Sequence, residues 1–236
     1  MRVESPVSLA DLVTDRLRQE IVLGHFELGD ALSESRIARR YEVSRTPVRE
    51  AFARLEMEGI VRTEPQSGTY VFTMGRAEFV LVSETRSVLE LGALRFAMRE
   101  NSDGLAAAWR MATANMEVAL REGDSRAYSA NDAAFHEALF EYAANPYLVM
   151  ARRSFASKID TIRNKLGATP EHMEKSFAEH KALTELIEAG EVEKAAEILD
   201  KHICHKGASF WTVPEVAPET RWDRMQKLAS LTTRSR

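Results

Sequence analysis

The sequence predicts a mainly α protein in two parts, a winged helix-turn-helix followed by an all-α antiparallel bundle of six to seven helices. Three observations predict this. Between residues 8 and 72 the order is helix, short helix, turn, helix and two β-rich runs around Pro65-Gln66-Ser67-Gly68. Beyond Arg76 the strand signals vanish and helical periods follow one another with short breaks. A length of 236 residues with 44% hydrophobic composition is enough for two modest cores.

Each element has its own signal. Residues 8–24 read as a helix, with Ser8 as cap, Leu9, Leu12, Val13, Leu17 and Ile21 as one stripe, and Gly24 as the stop. After a turn through Glu27-Leu28-Gly29-Asp30, Ser33 caps a short helix over residues 34–41 with Ile37 and Ala38 inward. Ser44 caps a third helix that runs to about Glu58, where Gly59 ends it. Ile60 to Thr63 and Thr69 to Phe72 then read as the two strands of a hairpin. Further helices are expected near residues 76–100, 103–122, 125–143, 147–167, 171–189 and 192–210. Their breaks are Asn101-Ser102-Asp103-Gly104, Gly123, Asn145-Pro146, Gly167 to Pro170, and Gly190. The short loops favour sequential neighbours packing together. The expected domains are 1–75 for the winged head, 76–212 for the bundle and 213–236 for a basic tail.

Bulk composition narrows the function. No stretch approaches the ~20 apolar residues of a membrane span, and the N-terminus lacks the apolar core of a secretion signal. One cysteine, Cys204, gives no disulfide framework and suits a cytoplasmic protein without membrane partners. The net charge of −4 hides a local excess. Residues 36–54 carry Arg36, Arg39, Arg40, Arg45, Arg49 and Arg54 against only Glu42 and Glu50. Every basic residue before Lys158 is an arginine, the side chain suited to bidentate phosphate and guanine contacts.

In a helix-turn-helix the second helix enters the major groove with its N-terminal residues toward the base edges. Val48, Ala51, Phe52 and Leu55 follow i, i+3, i+4, i+7 and face the core. Thr46, Arg49, Glu50 and Ala53 therefore fall outward, and Arg45 projects from the helix start. Arg45 and Arg49 suit guanine, whereas Arg36 and Arg39 suit phosphates.

The run Leu32-Ser33-Glu34-Ser35-Arg36-Ile37-Ala38, with Val43-Ser44-Arg45-Thr46-Pro47-Val48-Arg49-Glu50-Ala51 and Leu55-Glu56-Met57-Glu58-Gly59-Ile60-Val61, resembles the GntR family of bacterial regulators. The resemblance spans residues 9–73. It implies operator contacts from Arg36, Arg45, Thr46, Arg49 and the wing tip at Ser67 and Gly68. Ser67 departs from the family, where a basic residue often precedes the wing glycine.

The second half is informative without any family. Phe79, Val82, Leu89, Ala93 and Phe96 define an inward stripe, and Arg86 sits inside it. An arginine keeps its proton, so this one needs an anionic partner. Either Glu90, one turn later, or a bound carboxylate supplies it. Asp132 and His136, spaced i, i+4, lie along Leu139, Phe140 and Ala143, which places two metal-type ligands on one inward face. His180 continues the stripe of Phe177, Thr184 and Ile187. His202 continues that of Ala195, Ile198 and Leu199. Cys204 and His205 rival His202, which fits the apolar period better. His25 falls in a turn and His172 near a helix start.

Asp132-Ala133-Ala134-Phe135-His136 with Asn145-Pro146-Tyr147-Leu148, Glu179-His180-Lys181-Ala182-Leu183, and Ala195-Ala196 through His202 resembles the FadR-type C-terminal domain called FCD. Arg86-Ser87-Val88-Leu89-Glu90 fits its opening motif. The resemblance implies a divalent metal on Asp132, His136, His180 and His202, and an effector carboxylate near Arg86. Such a ligand set suits Zn²⁺, Ni²⁺, Mn²⁺ or Fe²⁺, with zinc favoured on availability. The expected protein is thus a repressor of a metabolic operon rather than an enzyme. It is expected to be a homodimer on a palindromic double-stranded DNA operator, since one head reads only a half-site. The alternatives are a metalloenzyme acting on an organic acid and a regulator whose metal is purely structural.

Overall fold

The computed structural model describes residues 8–166 and 170–204. The expected tail at 213–236, the end of the last expected helix, and His205 lie outside the described residues.

The head is built from α1 (Leu9–Val22), β1 (Ala31–Leu32), α2 (Glu34–Tyr41), α3 (Arg45–Met57), β2 (Val61–Glu64) and β3 (Gly68–Val71). Ser8 caps α1 in a reciprocal capping box with Asp11. Ser33 caps α2 by accepting from the Arg36 amide. Ser44 occupies the cap position of α3 but makes no side-chain cap bond. The buried face of α1 is Ala10, Val13, Thr14, Leu17, Glu20 and Ile21. That corrects the expected stripe: Leu9 and Leu12 are exposed, because the i, i+3, i+4, i+7 face directed at α3 begins at Ala10. Leu17, Ile21, Ile37, Val48, Ala51, Leu55, Ile60 and Val71 close the head core.

The wing is a three-stranded antiparallel sheet in the order β1-β3-β2. Val61 pairs with Val71 and Glu64 with Gly68 across the hairpin, and Ala31 pairs with Tyr70 on the other edge. Strand β1 carries only two residues and has no alternating pattern, so the sequence gives no signal for it. Gln66 takes the left-handed conformation at φ 64° in the turn.

Six helices follow among the described residues: α4 (Arg76–Glu122), α5 (Ser125–Tyr142), α6 (Pro146–Arg153), α7 (Ala156–Leu166), α8 (Pro170–Glu188) and α9 (Val192–Cys204). The two helices expected over 76–122 are one element with a kink at Asn101, whose φ of −158° and ψ of 69° leave the helical region. The Asn101 side chain accepts from the Gly104 amide at 3.0 Å, a local cap that restarts the helix. Gly104 is required there: a Cβ would stand 2.5 Å from the Tyr142 ring. In the opposite direction, the single helix expected over 147–167 is two, α6 and α7, separated at Ser154 and Phe155. Asn145 caps α6 by accepting from the Tyr147 and Leu148 amides, with Pro146 at the first helical position.

The bundle core runs through Leu94, Ala97, Leu105, Trp109, Phe135, Leu139, Leu183 and Leu199. Trp109 stacks on Phe135 at 4.0 Å between centroids and donates its indole N–H to the Phe135 carbonyl at 2.8 Å. Phe135 in turn meets His180 edge-on at 4.5 Å. The inward face of the first half of α4 is more polar than its apolar residues predict. Ser83, Arg86, Ser87 and Glu90 are buried, while Val82, Leu89 and Phe96 are only half-buried. The face is rotated so that this polar set lines the side of the bundle where the histidines converge. No described helix is long and apolar enough to cross a membrane.

Candidate metal centre and nucleic-acid interface

The outer face of α3 presents Arg45, Thr46, Arg49, Glu50 and Ala53, all exposed, while Val48, Ala51, Phe52 and Leu55 are buried beneath them. Arg36 is exposed on α2, and Ser67 and Gly68 are exposed at the wing tip. The two arginines of α3 are held together by one acid. Glu34, at the first position of α2, accepts from Arg45 Nη2 at 2.9 Å and from Arg49 Nε and Nη2 at 3.0 and 3.1 Å. Hydrogen bonds from Arg49, then from Arg45, hold the Glu34 carboxyl below its ordinary range. At the wing, the Ser67 hydroxyl and the Tyr70 phenol lie 2.8 Å apart, which ties down the residue that precedes Gly68.

Three elements carry the second constellation. Helix α5 supplies Asp132 and His136 one turn apart, α8 supplies His180, and α9 supplies His202; all four are buried. One atom from each of the four lies within 4.8 Å of the others. His136 Nε2 is 3.3 Å from His202 Nε2 and 3.4 Å from His180 Nε2, and His180 Nε2 is 3.3 Å from Asp132 Oδ1. Cys204 turns elsewhere, toward Asp200 and the Ser83 carbonyl.

The opposite ring nitrogens are anchored. His136 Nδ1 is 2.6 Å from Glu90 Oε2, His202 Nδ1 is 2.7 Å from Glu179 Oε2, and His180 Nδ1 is 3.4 Å from the Ser176 hydroxyl. This network assigns the N–H of His136 and of His202 to Nδ1, donating to a carboxylate. Burial, then the charges of Arg86 and Arg163, push the His136 pKa well below its usual value and keep the ring neutral. With both rings neutral in this tautomer, two Nε2 lone pairs would face each other at 3.3 Å, an arrangement that a bound cation would relieve. The spacing suits one: metal–nitrogen bonds of about 2.0–2.1 Å in a tetrahedral set give ligand–ligand edges of roughly 3.3–3.4 Å. The residues present fit a divalent metal with nitrogen and carboxylate ligands.

Two buried arginines flank the cluster. Arg86 Nε donates to Glu90 Oε1 at 2.5 Å, so Glu90 is the partner that neutralises Arg86, and it also holds His136. Arg86 retains one buried nitrogen, Nη2, without a hydrogen-bond partner among the described residues. Burial and the neighbouring Arg163 guanidinium both weigh against its charge, an environment that an added anion would relieve. Arg163, on α7, stands 2.8 Å from Asp132 Oδ2 and donates from Nη1 to Asp160 at 3.1 Å. Burial opposes its charge, but Asp132 and Asp160 outweigh that and hold its pKa up. Sequence reasoning missed Arg163, whose partner lies 31 positions away on another helix, and it missed Glu90 and Glu179 as anchors of the rings. Only Glu90 gave a signal, one turn after Arg86.

A winged head with exposed arginines on its second motif helix, joined to a helical domain with a buried Asp/His cluster, is the build of a DNA-binding regulator. Residues 9–71 match the bacterial regulatory proteins of the gntR family, and residues 82–205 match the FCD domain. The chain belongs to the GntR family of transcriptional regulators, with an FCD domain behind the reading head; this is a family of regulators and not of enzymes. It is 29% identical over 196 residues to a protein of Paenarthrobacter nicotinovorans described as a probable D-xylose utilization operon transcriptional repressor, covering 83% of this chain and 86% of that one. It is 31% identical over 138 residues to the gluconate operon transcriptional repressor of Bacillus licheniformis, covering 58% of this chain and 56% of that one. Among solved structures, a GntR regulator from Rhodococcus superposes with a TM-score of 0.76 at 21% identity, over 86% of this chain and 98% of that one. E. coli McbR/YncC gives 0.76 at 20% identity, over 87% and 98%. These two likenesses speak for the fold alone.

Proposed function

We propose that the chain is a repressor of a metabolic operon, and that a small carboxylate bound at a divalent metal sets its operator affinity. The observation that carries the metal is the convergence of the His136 and His202 Nε2 atoms, with each ring held from behind by a carboxylate. Asp132, His136, His180 and His202 hold the ion, and zinc is the first metal to try, ahead of nickel, manganese or iron. When bound, such an ion supplies a Lewis-acid position for a carboxylate oxygen. Arg86 Nη2 is the chain's own group for the same acid. On this reading the chain is of the FadR type that carries the full ligand set, with 1–75 as the head, 76–212 as the sensing domain and 213–236 as the tail.

On the DNA side, Arg45 and Arg49 read base edges, Arg36 holds phosphate, and Thr46, Ser67 and Gly68 make close backbone approaches. A single head reads one half-site, so the working unit is a homodimer on a palindromic operator. The acid acts only if it binds one arrangement of the heads better than another.

The relatives' operons serve D-xylose and gluconate, so gluconate and related sugar acids are the first probes. A thermal-shift screen of such acids on zinc-loaded and on chelated protein tests the reading. The expected outcome is an acid that raises the melting temperature of the loaded protein alone. An equal shift in chelated protein would detach the acid from the metal. Stabilisation by zinc with no response to any acid would leave a structural metal in its place.

A further inference from the structure

Helix α7 lies between the two halves of the molecule and bonds to both. Arg163 faces the bundle, where it meets Asp132 Oδ2 at 2.8 Å. Asn164, the next residue, faces the head, where its Nδ2 donates to the Val22 carbonyl at 2.8 Å. Val22 ends α1, and its carbonyl is one of those that a helix C-terminus leaves without an intrahelical partner. Adjacent residues on a helix point about 100° apart, so a single helix can present one bond to each domain. Lys165 pairs with Glu27 of the head, and Lys158 donates to Glu78 at 2.9 Å near the start of α4.

We propose that Arg163 is a positioning residue for Asp132 and that, together with Asn164, it makes α7 the element that couples the metal site to the DNA-reading head. The inference rests on the metal reading above and adds to it the route of transmission. By holding Oδ2, Arg163 leaves Oδ1 directed at His180, 3.3 Å away. A cation entering the cluster draws on the same carboxylate, so the Arg163 guanidinium must follow Asp132 or lose a buried ion pair. Helix α7 cannot rotate or slide to accommodate this without straining the Asn164 bond to α1. A cavity of about 310 Å³ lies on this seam, lined by Val22, Leu23, Arg126, Ser129, Asp160 and Arg163 among others. It leaves open space beside α7 at the contact with α1 and α5.

Hydrogen exchange on the full chain, stripped by chelation and reloaded with Zn²⁺ alone, tests the coupling. Zinc is expected to slow exchange in α7 and also in the last turn of α1. In Asn164→Asp, which keeps the side-chain shape but loses the donor, zinc stoichiometry and affinity should be unchanged and α7 should still respond. The α1 response should disappear, and Asn164→Ala should repeat this result. Arg163→Lys should weaken zinc binding by about tenfold or more, as loss of a group that supports a ligand does. The readout is the difference between metal-free and loaded forms of the same variant, so a uniform loss of stability does not imitate it. Zinc uptake with an unchanged α1, or an α1 response that survives in Asn164→Asp, overturns the inference and leaves the metal reading intact. Failure of the wild-type chain to take up zinc overturns both.

Discussion

At the scale of single residues, the two halves use the same device, a carboxylate that fixes the direction of a functional side chain. Glu34 aligns Arg45 and Arg49 on the reading helix, and Glu90 and Glu179 aim the His136 and His202 rings inward. Glu90 does double duty, because its other oxygen neutralises the buried Arg86. Replacing it with glutamine keeps a hydrogen-bond acceptor but removes the charge that raises the basicity of His136 and balances Arg86. Glu90→Gln should lower zinc affinity by about 10- to 100-fold in a competition titration against a chromophoric chelator. Undiminished affinity would show that Glu90 serves Arg86 alone. The clustering of the four candidate ligands was legible in the sequence, since Asp132, His136, His180 and His202 each fall on the apolar period of an inward face. Their supports were not, because Glu90 to His136 and Arg163 to Asp132 are contacts between helices distant in sequence, and periodicity reports only which way a side chain faces. Of the two partners expected for Arg86, Glu90 takes the Nε, and Nη2 has no hydrogen-bond partner among the described residues.

At the scale of elements, local chemistry sets the breaks. Asn101 and Gly104 kink α4 without ending it, because the cap at Asn101 satisfies the Gly104 amide and lets the helix resume. From sequence the same four residues read as a full stop. Ser154 and Phe155 separate α6 from α7 with no glycine or proline to announce it, so the break was invisible. It matters, because α7 is the helix that touches both the head and Asp132. The start of α6 rests on Asn145, whose side chain takes the Tyr147 amide at 3.0 Å. Asn145→Ala should destabilise the protein by about 1 kcal/mol in urea unfolding, the usual loss for an N-cap. A change within a few tenths of a kcal/mol would mean that Pro146 alone sets the helix start. In the head, the third helix and the hairpin were legible from turn residues and the helical period. The two-residue β1 was not, since only its pairing with β3 makes it a strand.

At the scale of the whole molecule, the acidic net charge coexists with a local arginine excess rather than a basic head: α2 and α3 carry six arginines against three glutamates. The bundle buries two arginines of its own, Arg86 and Arg163. The two-part architecture was legible because each half has its own core with its own period. How the halves meet was not legible, because it depends on side chains of α7 that carry no motif. The proposed function requires that meeting: a ligand at a bound metal would change operator binding only by favouring one arrangement of head and bundle. The most direct measurement is operator affinity of the zinc-loaded full chain, by mobility shift, with and without the acid selected in the melting screen, for the wild type and for His180→Ala. The account predicts that the acid changes wild-type affinity by at least about fivefold, as allosteric couplings commonly do. It also predicts that His180→Ala binds the operator but ignores the acid. An acid response that persists in His180→Ala would contradict it.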